Sequence, residues 1–268
     1  MTEENIILEV VNVSKHFGGI KAVSSVSFAV ERGKIVSIIG PNGAGKTTLF
    51  NIISGFYKPD TGKIIFEGRD ITNIKVYECS KIGISRTFQN IRLFYNMTAL
   101  ENVMVGRHVR SKSGLSSFFD AILRNKDFHQ TEKEIQEKSI YYLKMLGLEN
   151  YLNVLAKNLP YGLQRRLEIA RALATEPKLL LLDEPSAGMT YKETNEIMEI
   201  ISKIRDMGIT VLLIEHQMML VMTISDKVIV LDHGEKISEG TPEEVKNDKR
   251  VIDAYLGVEE TKTYAEVD

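Results

Sequence analysis

Residues 40–48 read GPNGAGKTT and lie between an apolar run, GKIVSIIG (33–40), and a helical pattern, TTLFNIISG (47–55). The spacing of glycine, lysine and threonine in this stretch fits the phosphate-binding pattern G-x-x-x-x-G-K-[ST]. Glycines let several backbone N–H groups converge on a phosphate, and the N-terminus of the following helix adds partial positive charge. The stretch therefore predicts a buried strand, a phosphate-binding loop and a helix that ends at Gly55.

Two side chains of the loop have defined roles in this pattern. Lys46 is predicted to reach the β- and γ-phosphates of a nucleotide, and Thr47 to offer its hydroxyl to Mg²⁺. The alternative, a glycine-rich turn with an incidental lysine, fits the strand-to-helix context less well. The predicted nucleotide site also includes the remaining residues of the loop: Gly40, Pro41, Asn42, Gly43, Ala44, Gly45 and Thr48.

A second buried-strand pattern, KLLLLDEP at 178–185, ends in two carboxylates. Beside a phosphate loop, Asp183 is predicted to help hold Mg²⁺, and Glu184 to polarise the water that attacks the γ-phosphate. The alternative is a salt bridge at the end of a strand. The phosphate loop earlier in the chain favours the catalytic interpretation.

Two further candidates follow from their positions. The strand pattern TVLLIEHQ (210–217) ends at His216, and ligands of α/β sheets collect at the carboxyl ends of strands. His216 is therefore predicted to contact the γ-phosphate and the water beside Glu184, although a lone histidine is usually structural. Gln89 precedes an aromatic-rich turn and is predicted to bind Mg²⁺ or the attacking water. The surrounding side chains form either a cleft for a partner helix or hydrophobic core: Phe88, Leu93, Phe94 and Tyr95.

Strand and helix patterns divide the chain into regions. Stretches near the N-terminus (6–17, 22–30 and 62–68) are typical of β-strands, and the first two partly alternate as half-buried antiparallel strands do. Later buried-strand patterns alternate with helical segments, which implies a parallel sheet. From about residue 79 to 175 the pattern is helical. The fold class predicted is α/β: a phosphate-loop NTPase core with a mostly parallel sheet, an antiparallel β subdomain and an inserted helical subdomain.

The composition limits the possible partners and compartments. The 34 basic and 36 acidic side chains give a net charge of 34 − 36 = −2, so no overall basic field attracts nucleic acid. A single cysteine, Cys79, excludes an internal disulfide and suits a reducing compartment. No apolar run approaches the ~20 residues that span a bilayer, so work at a membrane requires another chain as anchor.

The order of the motifs narrows the class of nucleotide-binding protein. The motifs occur in the order phosphate loop, Gln89, the glycine-turn helix NLPYGLQRRLEIARAL (158–173), LLLLDEP and His216. The same order is found in the ATP-binding cassette (ABC) ATPases, which the chain resembles over essentially its whole length. The resemblance implies an ABC ATPase domain over 1–257 with a C-terminal tail at 258–268. It implies ATP and Mg²⁺ as cofactors, and ATP hydrolysis.

The same resemblance implies a head-to-tail dimer. Each ATP then lies between the phosphate loop of one chain and the signature helix of the other, which brings Gly162 to the partner's γ-phosphate. Phe17 matches the aromatic residue that stacks on adenine, and an aromatic in the core of a β-hairpin is the alternative.

Finer features resemble the ATPases of branched-chain amino acid importers: LPYG and RRLEIARAL, DEPSAGM, the long excursion at 107–130 and the ending ISEGTPEEVKND. The implied partners are a second ABC ATPase chain, identical or different, integral membrane permease subunits and, indirectly, a periplasmic or extracellular solute-binding protein, with no nucleic acid. The implied location is the cytoplasmic face of the cell membrane. Alternatives are ATPases of urea or short-amide importers, a lipopolysaccharide exporter, a soluble ABC ATPase and a regulatory subunit with little turnover.

Two positions depart from the family pattern. Where the usual signature is Leu-Ser-Gly-Gly-Gln, this chain has Leu159, Pro160, Tyr161, Gly162 and Leu163. The aspartate that often lies five residues after Pro185 is Thr190. Because proline has a fixed φ and no N–H, Pro160 is predicted at or just before a helix start. The backbone at Gly162 is then predicted to replace the missing serine hydroxyl.

Overall fold

A computed structural model describes residues 5–108 and 126–255, which fall into two compact units. The first unit combines Met1–Cys79 with Leu181–Asp268, and the second is Ser80–Leu180. The sequence pattern had indicated a helical insert at about 79–175. The predicted tail, 258–268, and residues 109–125 of the long excursion lie outside the described residues.

The elements follow the predicted order of strands and helices. The strands are β1 (Ile6–Phe17), β2 (Ile20–Glu31), β3 (Ile35–Ile39), β4 (Thr61–Phe66), β5 (Arg69–Asp70), β6 (Ile84–Arg86), β7 (Leu179–Asp183), β8 (Thr210–Ile214), β9 (Lys227–Asp232) and β10 (Glu235–Gly240). The α-helices are α1 (Lys46–Ile53), α2 (Val76–Ile82), α3 (Ala99–Arg107), α4 (Lys126–Met145), α5 (Tyr161–Leu173), α6 (Tyr191–Asp206), α7 (Met218–Ile224) and α8 (Pro242–Lys246). Among the described residues, no helix combines the length and apolar character needed to cross a bilayer.

The first unit contains an antiparallel sheet in the order β2-β1-β4-β5. β1 pairs antiparallel with both β2 and β4, as the alternating sequence pattern predicted. The inward residues of β1, among them Leu8 and Val13, are fully buried, while its polar residues lie on the other face or at bulges. The antiparallel β subdomain predicted from the sequence is confirmed.

The second sheet of this unit has the order β10-β9-β3-β8-β7. β3 pairs parallel with β8 and with β9, and β10 returns antiparallel beside β9. Every residue of β3, β7 and β8 is buried, which explains why their sequences are almost continuously apolar. The predicted, mostly parallel core sheet is thus confirmed, and its strands lead directly into the motifs identified above.

The second unit consists mainly of α3, α4 and α5 packed on one another. Gly106 of α3 permits this packing, because a Cβ there would lie 2.3 Å from the carbonyl oxygen of Arg171 on α5. The sequence pattern did not predict β6, because its three residues are too few to show a period. The N–H groups of Lys178 and Leu179 donate to the carbonyl of Gly83, so β6 lies beside the start of β7.

Thr190, one of the two departures from the family pattern, is the N-cap of α6. Its hydroxyl accepts a hydrogen bond from the N–H of Glu193, and the Glu193 carboxylate accepts one from the N–H of Thr190. Threonine and aspartate both serve as N-caps, because each offers a side-chain oxygen to the first turn. The threonine therefore preserves the start of α6 that an aspartate would provide.

Thr190→Ala should lower the free energy of unfolding by about 1 kcal/mol, because an N–H of the first turn loses its acceptor. Thr190→Asp should retain most of the stability, since aspartate can accept the same hydrogen bond. Chemical denaturation of the three proteins measures the difference. Equal losses of stability in Thr190→Ala and Thr190→Asp would show that the N-cap hydrogen bond does not explain the threonine at this position.

Candidate active site

The loop that follows β3 is held in its curve by two glycines that no other residue could replace without strain. Gly40 has φ +149°, and a Cβ there would lie 2.0 Å from the carbonyl oxygen of Leu231. Gly45, the N-cap of α1, has φ +97°, and its Cβ would lie 2.2 Å from the carbonyl oxygen of Ala22. These close approaches fix the loop against neighbouring strands and direct it into the N-terminus of α1. Gly55 lies just after α1 with φ +74°, as predicted for the residue that ends this helix.

Lys46 folds back over the loop from the first turn of α1. Its Nζ donates to the carbonyl oxygens of Gly40, at 2.7 Å, and Pro41, at 2.8 Å. Burial lowers the pKa of the Lys46 ammonium from its ordinary value, and the negative charges of Glu184 and Asp183 oppose this shift. The amino group is thus a buried cation, close to both carboxylates of the DEP motif and enclosed by the loop.

The two carboxylates occupy different environments at the end of β7. Asp183 is the last residue of the strand and is 2% exposed. Glu184 adopts a left-handed backbone with φ +48°, and its N–H donates to the carbonyl of Ile214 at 2.9 Å. Its Oε1 lies 2.6 Å from Nε2 of His216. The structure therefore brings together Glu184 and His216, which the sequence predicted separately from two different strands.

Glu215, which precedes His216, is a site residue that the sequence pattern did not identify. It is 2% exposed, and its carboxylate accepts hydrogen bonds from Ser186, His216 and Gln217. The available signal was an ionisable residue at the end of a buried apolar strand, a place where burial is costly without hydrogen bonds.

Phe17 lies at the end of β1 and is 43% exposed. The ring of Tyr57 packs edge-on against it, with ring centroids 5.2 Å apart, and Nζ of Lys15 lies 5.6 Å from its centroid. An exposed aromatic ring suits stacking on a base better than packing in a hairpin core. The adenine contact nevertheless stays a prediction.

The signature helix lies in the second unit. Pro160 is the N-cap of α5, with φ −53° and ψ 152°, as predicted for a proline at or just before a helix start. Gly162 lies in the first turn and is buried, whereas Tyr161 is 47% exposed. A helix start leaves its first N–H groups without intrahelical acceptors, so this turn has donors for an anion.

A buried ion pair ties α5 to the segment that contains Gln89. The Arg165 guanidinium, fully buried, donates to the carbonyl oxygens of Phe88, at 2.6 Å, and Gln89, at 2.7 Å. It also donates to Glu168 at 3.0 Å, and Glu168 in turn accepts from the N–H of Arg92. Burial raises the pKa of the Glu168 carboxyl. This connection was not anticipated, because Phe88 and Gln89 lie 77 and 76 residues from Arg165 along the chain.

The aromatic residues around Gln89 do not form one uniform core. Gln89 is exposed, Leu93 is buried, and Phe94 and Tyr95 are each 46% exposed. The guanidinium carbons of Arg86 and Arg92 lie 5.3 Å and 4.3 Å from the centroid of the Phe88 ring. Gln89 belongs to the second unit, and its contact with Mg²⁺ or water remains a prediction.

Two family models match the chain. The ABC transporter model matches residues 23–187, and the model described as branched-chain amino acid ATP-binding cassette transporter matches residues 235–261. Similar curated proteins include the high-affinity branched-chain amino acid transport ATP-binding proteins BraF of Pseudomonas aeruginosa and LivG of Escherichia coli. Each is 44% identical over 94% of this chain and 98% of its own length.

Solved structures with the same fold are also similar in sequence. A nucleotide-free ATP-binding cassette from an ABC transporter has a TM-score of 0.80 and 38% identity, covering 93% of this chain and 98% of its own. The ADP conformation of such a cassette has a TM-score of 0.81 and 38% identity, with coverages of 94% and 99%. A dimeric bacterial ABC transporter cassette has a TM-score of 0.75 at 29% identity, with coverages of 88% and 99%. By family model, sequence identity and fold, this chain belongs to the ATP-hydrolysing cassettes of the ABC transporter family.

Proposed function

We propose that this chain is the ATP-hydrolysing motor subunit of a membrane importer for branched-chain amino acids. The observation that carries the hydrolytic role is the 2.6 Å contact between Glu184 and His216, in the unit that holds Lys46 and the phosphate loop. The substrate class is supported by the relatives BraF and LivG and by the C-terminal family match.

In this proposal, three side chains of the first unit act in hydrolysis: Lys46, Glu184 and His216. Lys46 and the backbone N–H groups of the loop hold the β- and γ-phosphates of ATP. Glu184 accepts a proton from the attacking water, and His216 fixes the carboxylate of Glu184 and contacts the γ-phosphate. Because the loop and both strand ends are already formed, little reorganisation is needed when the nucleotide arrives.

The residues present also fit a magnesium ion carried in with the nucleotide. Within the described part of the chain, no group of three or more His, Cys, Asp or Glu side chains is placed to hold a metal ion. Mg²⁺ in nucleotide sites needs few protein ligands, because phosphates and water complete its shell. The hydroxyl of Thr47 and the buried carboxylate of Asp183 are the oxygens we assign to it. Bound Mg²⁺ would neutralise charge on the phosphates.

We assign to α5 the role of contacting the ATP held by a second cassette, with Gly162 at the point of closest approach. The dimeric structure known for a similar cassette supports the pairing of two cassettes. Membrane permease subunits would anchor the pair at the cytoplasmic face, and a solute-binding protein would deliver the amino acid. ATP binding would close the dimer, and hydrolysis would reopen it.

The solute class is tested by purifying the intact complex from membranes, identifying its subunits by mass spectrometry and measuring uptake in vesicles. We expect ATP-dependent uptake of leucine, isoleucine or valine. Uptake of urea or a short amide, with none of these amino acids, would replace the substrate class and leave the ATPase assignment intact.

Lys46→Ala should weaken ATP binding by about 10- to 100-fold, because the phosphates lose a charged hydrogen-bond donor. Lys63→Ala, which removes an exposed lysine from β4 of the same unit, is the matched control. Equilibrium binding of a fluorescent ATP analogue and ATPase assays of the complex measure the effect. Wild-type binding and turnover in Lys46→Ala would refute the phosphate-loop assignment.

Glu184→Gln should retain ATP binding and lower turnover by about 10²- to 10⁴-fold, because the amide cannot accept the proton. The variant should therefore accumulate as an ATP-loaded closed dimer, detectable by size-exclusion chromatography. Asp206→Asn, at the end of α6, removes an exposed carboxylate and should leave turnover unchanged. Unchanged turnover in Glu184→Gln would transfer the role of base to another group, with His216 examined first.

Gly162→Asp should block ATP-dependent dimerisation in the Glu184→Gln background, because it places negative charge near the partner's γ-phosphate. Gly162 is buried, so Tyr161→Asp supplies the same charge at an exposed neighbouring position without filling buried space. Both variants should still bind ATP at their own Lys46. Normal dimerisation of both would show that α5 does not face the partner's nucleotide.

A further inference from the structure

We propose that Glu215 is a positioning residue for ATP hydrolysis: its carboxylate joins the loops after β7 and β8 and thereby sets the Glu184–His216 pair. The inference rests on the proposed function, which assigns hydrolysis to these two side chains. Glu215 itself would touch neither ATP nor water, because it is buried and four donors of the two loops occupy its carboxylate oxygens.

Each oxygen of the Glu215 carboxylate serves a different loop. Oε1 accepts from the N–H of Ser186, at 2.9 Å, and from its hydroxyl, at 2.5 Å. Oε2 accepts from the N–H groups of His216, at 2.9 Å, and Gln217, at 3.3 Å. Nε2 of Gln217 also donates to the carbonyl of Ser186 at 3.4 Å. One buried carboxylate thus joins loops that are 29 residues apart in the chain.

This connection matters because Glu184 is held in an unfavourable backbone conformation. A positive φ in a residue other than glycine is strained and persists only when its surroundings enforce it. Glu184 has φ +48°. Its N–H donates to the carbonyl of Ile214, and two residues further along the chain the N–H of Ser186 donates to the Glu215 carboxylate. Releasing Ser186 would let the backbone relax and move the Glu184 carboxylate away from His216.

The position requires a carboxylate specifically. All four donated hydrogen bonds come from N–H or O–H groups, and an ionised carboxylate only accepts. A glutamine has the same shape, but its NH₂ group would face two of the donors and leave them unsatisfied. Burying a charged group without such bonds would be costly, so the four donors also explain why a glutamate is tolerated at the end of a buried strand.

The test compares Glu215→Gln with the wild-type full chain in its assembled complex. We expect kcat to fall roughly 10- to 100-fold, the size of effect that a small misplacement of catalytic groups produces. Binding of ATP should be nearly unchanged, because Lys46 and the loop are not altered. Glu215→Asp, which keeps the charge, should recover part of the lost rate.

Asp248→Asn is the matched control. Asp248 accepts from the Ser238 hydroxyl at 2.7 Å and from the N–H of Arg250 at 3.0 Å, so like Glu215 it is a carboxylate bound by a serine hydroxyl and a backbone N–H. Its substitution should lower thermal stability and leave kcat unchanged. A Glu215→Gln variant that loses stability but keeps the wild-type kcat would overturn the proposal, because Glu215 would then be merely structural.

A double-mutant cycle with His216→Ala separates positioning from independent effects. If Glu215 acts through the Glu184–His216 pair, the two substitutions together should cost less than the product of their separate rate losses. Fully multiplicative losses would contradict the proposal. Should Glu215→Gln fail to fold, Ser186→Ala decides, since it removes only the hydroxyl bond to Glu215. We expect its kcat to be a few-fold lower, and a wild-type kcat would overturn the inference.

Failure of the proposed function gives a different result. If Glu184→Gln hydrolyses ATP at the wild-type rate, the catalytic assignment is wrong whatever Glu215→Gln does. If Glu184→Gln is inactive while Glu215→Gln is fully active, the catalytic assignment stands and only the role of Glu215 is refuted.

Discussion

The hydrogen bond of 2.6 Å between Glu184 and His216 is the interaction on which the hydrolysis site depends. It joins side chains 32 residues apart, and it forms because β7 and β8 are neighbours in the sheet and end side by side. A backbone hydrogen bond joins the same two strand ends, because the N–H of Glu184 donates to the carbonyl of Ile214 at the end of β8. The buried core of the sheet therefore determines where the two functional side chains meet.

A second constraint is charge. Lys46 places an ammonium group within a loop of backbone dipoles, and the loop carbonyls of Gly40 and Pro41 satisfy it. Burial alone lowers its pKa, whereas the nearby Asp183 and Glu184 favour the charged form. A polyphosphate that enters the loop would meet a positive group already held in position, so less binding free energy would be spent on ordering it.

Local motifs were predictable from the sequence because their chemistry is encoded in consecutive residues. The loop around Lys46, the strand that ends at Asp183 and the proline at the start of α5 all lie where the sequence indicated. The strand β6 was not predictable, because three residues carry no measurable period. The buried carboxylate of Glu215 and the Arg165 guanidinium were missed for another reason. Ser186 lies 29 residues from Glu215 and Phe88 lies 77 residues from Arg165, so only the folded chain shows these hydrogen bonds.

The most direct measurement is a structure of the assembled complex carrying Glu184→Gln, determined with ATP and Mg²⁺ at a resolution that shows ordered water. Hydrolysis at the Glu184–His216 pair predicts that the γ-phosphate lies within hydrogen-bonding distance of Lys46 Nζ and His216. It also predicts a water molecule in line with the phosphorus, bound to the side chain at position 184. A γ-phosphate remote from His216, or an attacking water held by a different side chain, would contradict the assignment of hydrolysis to this pair.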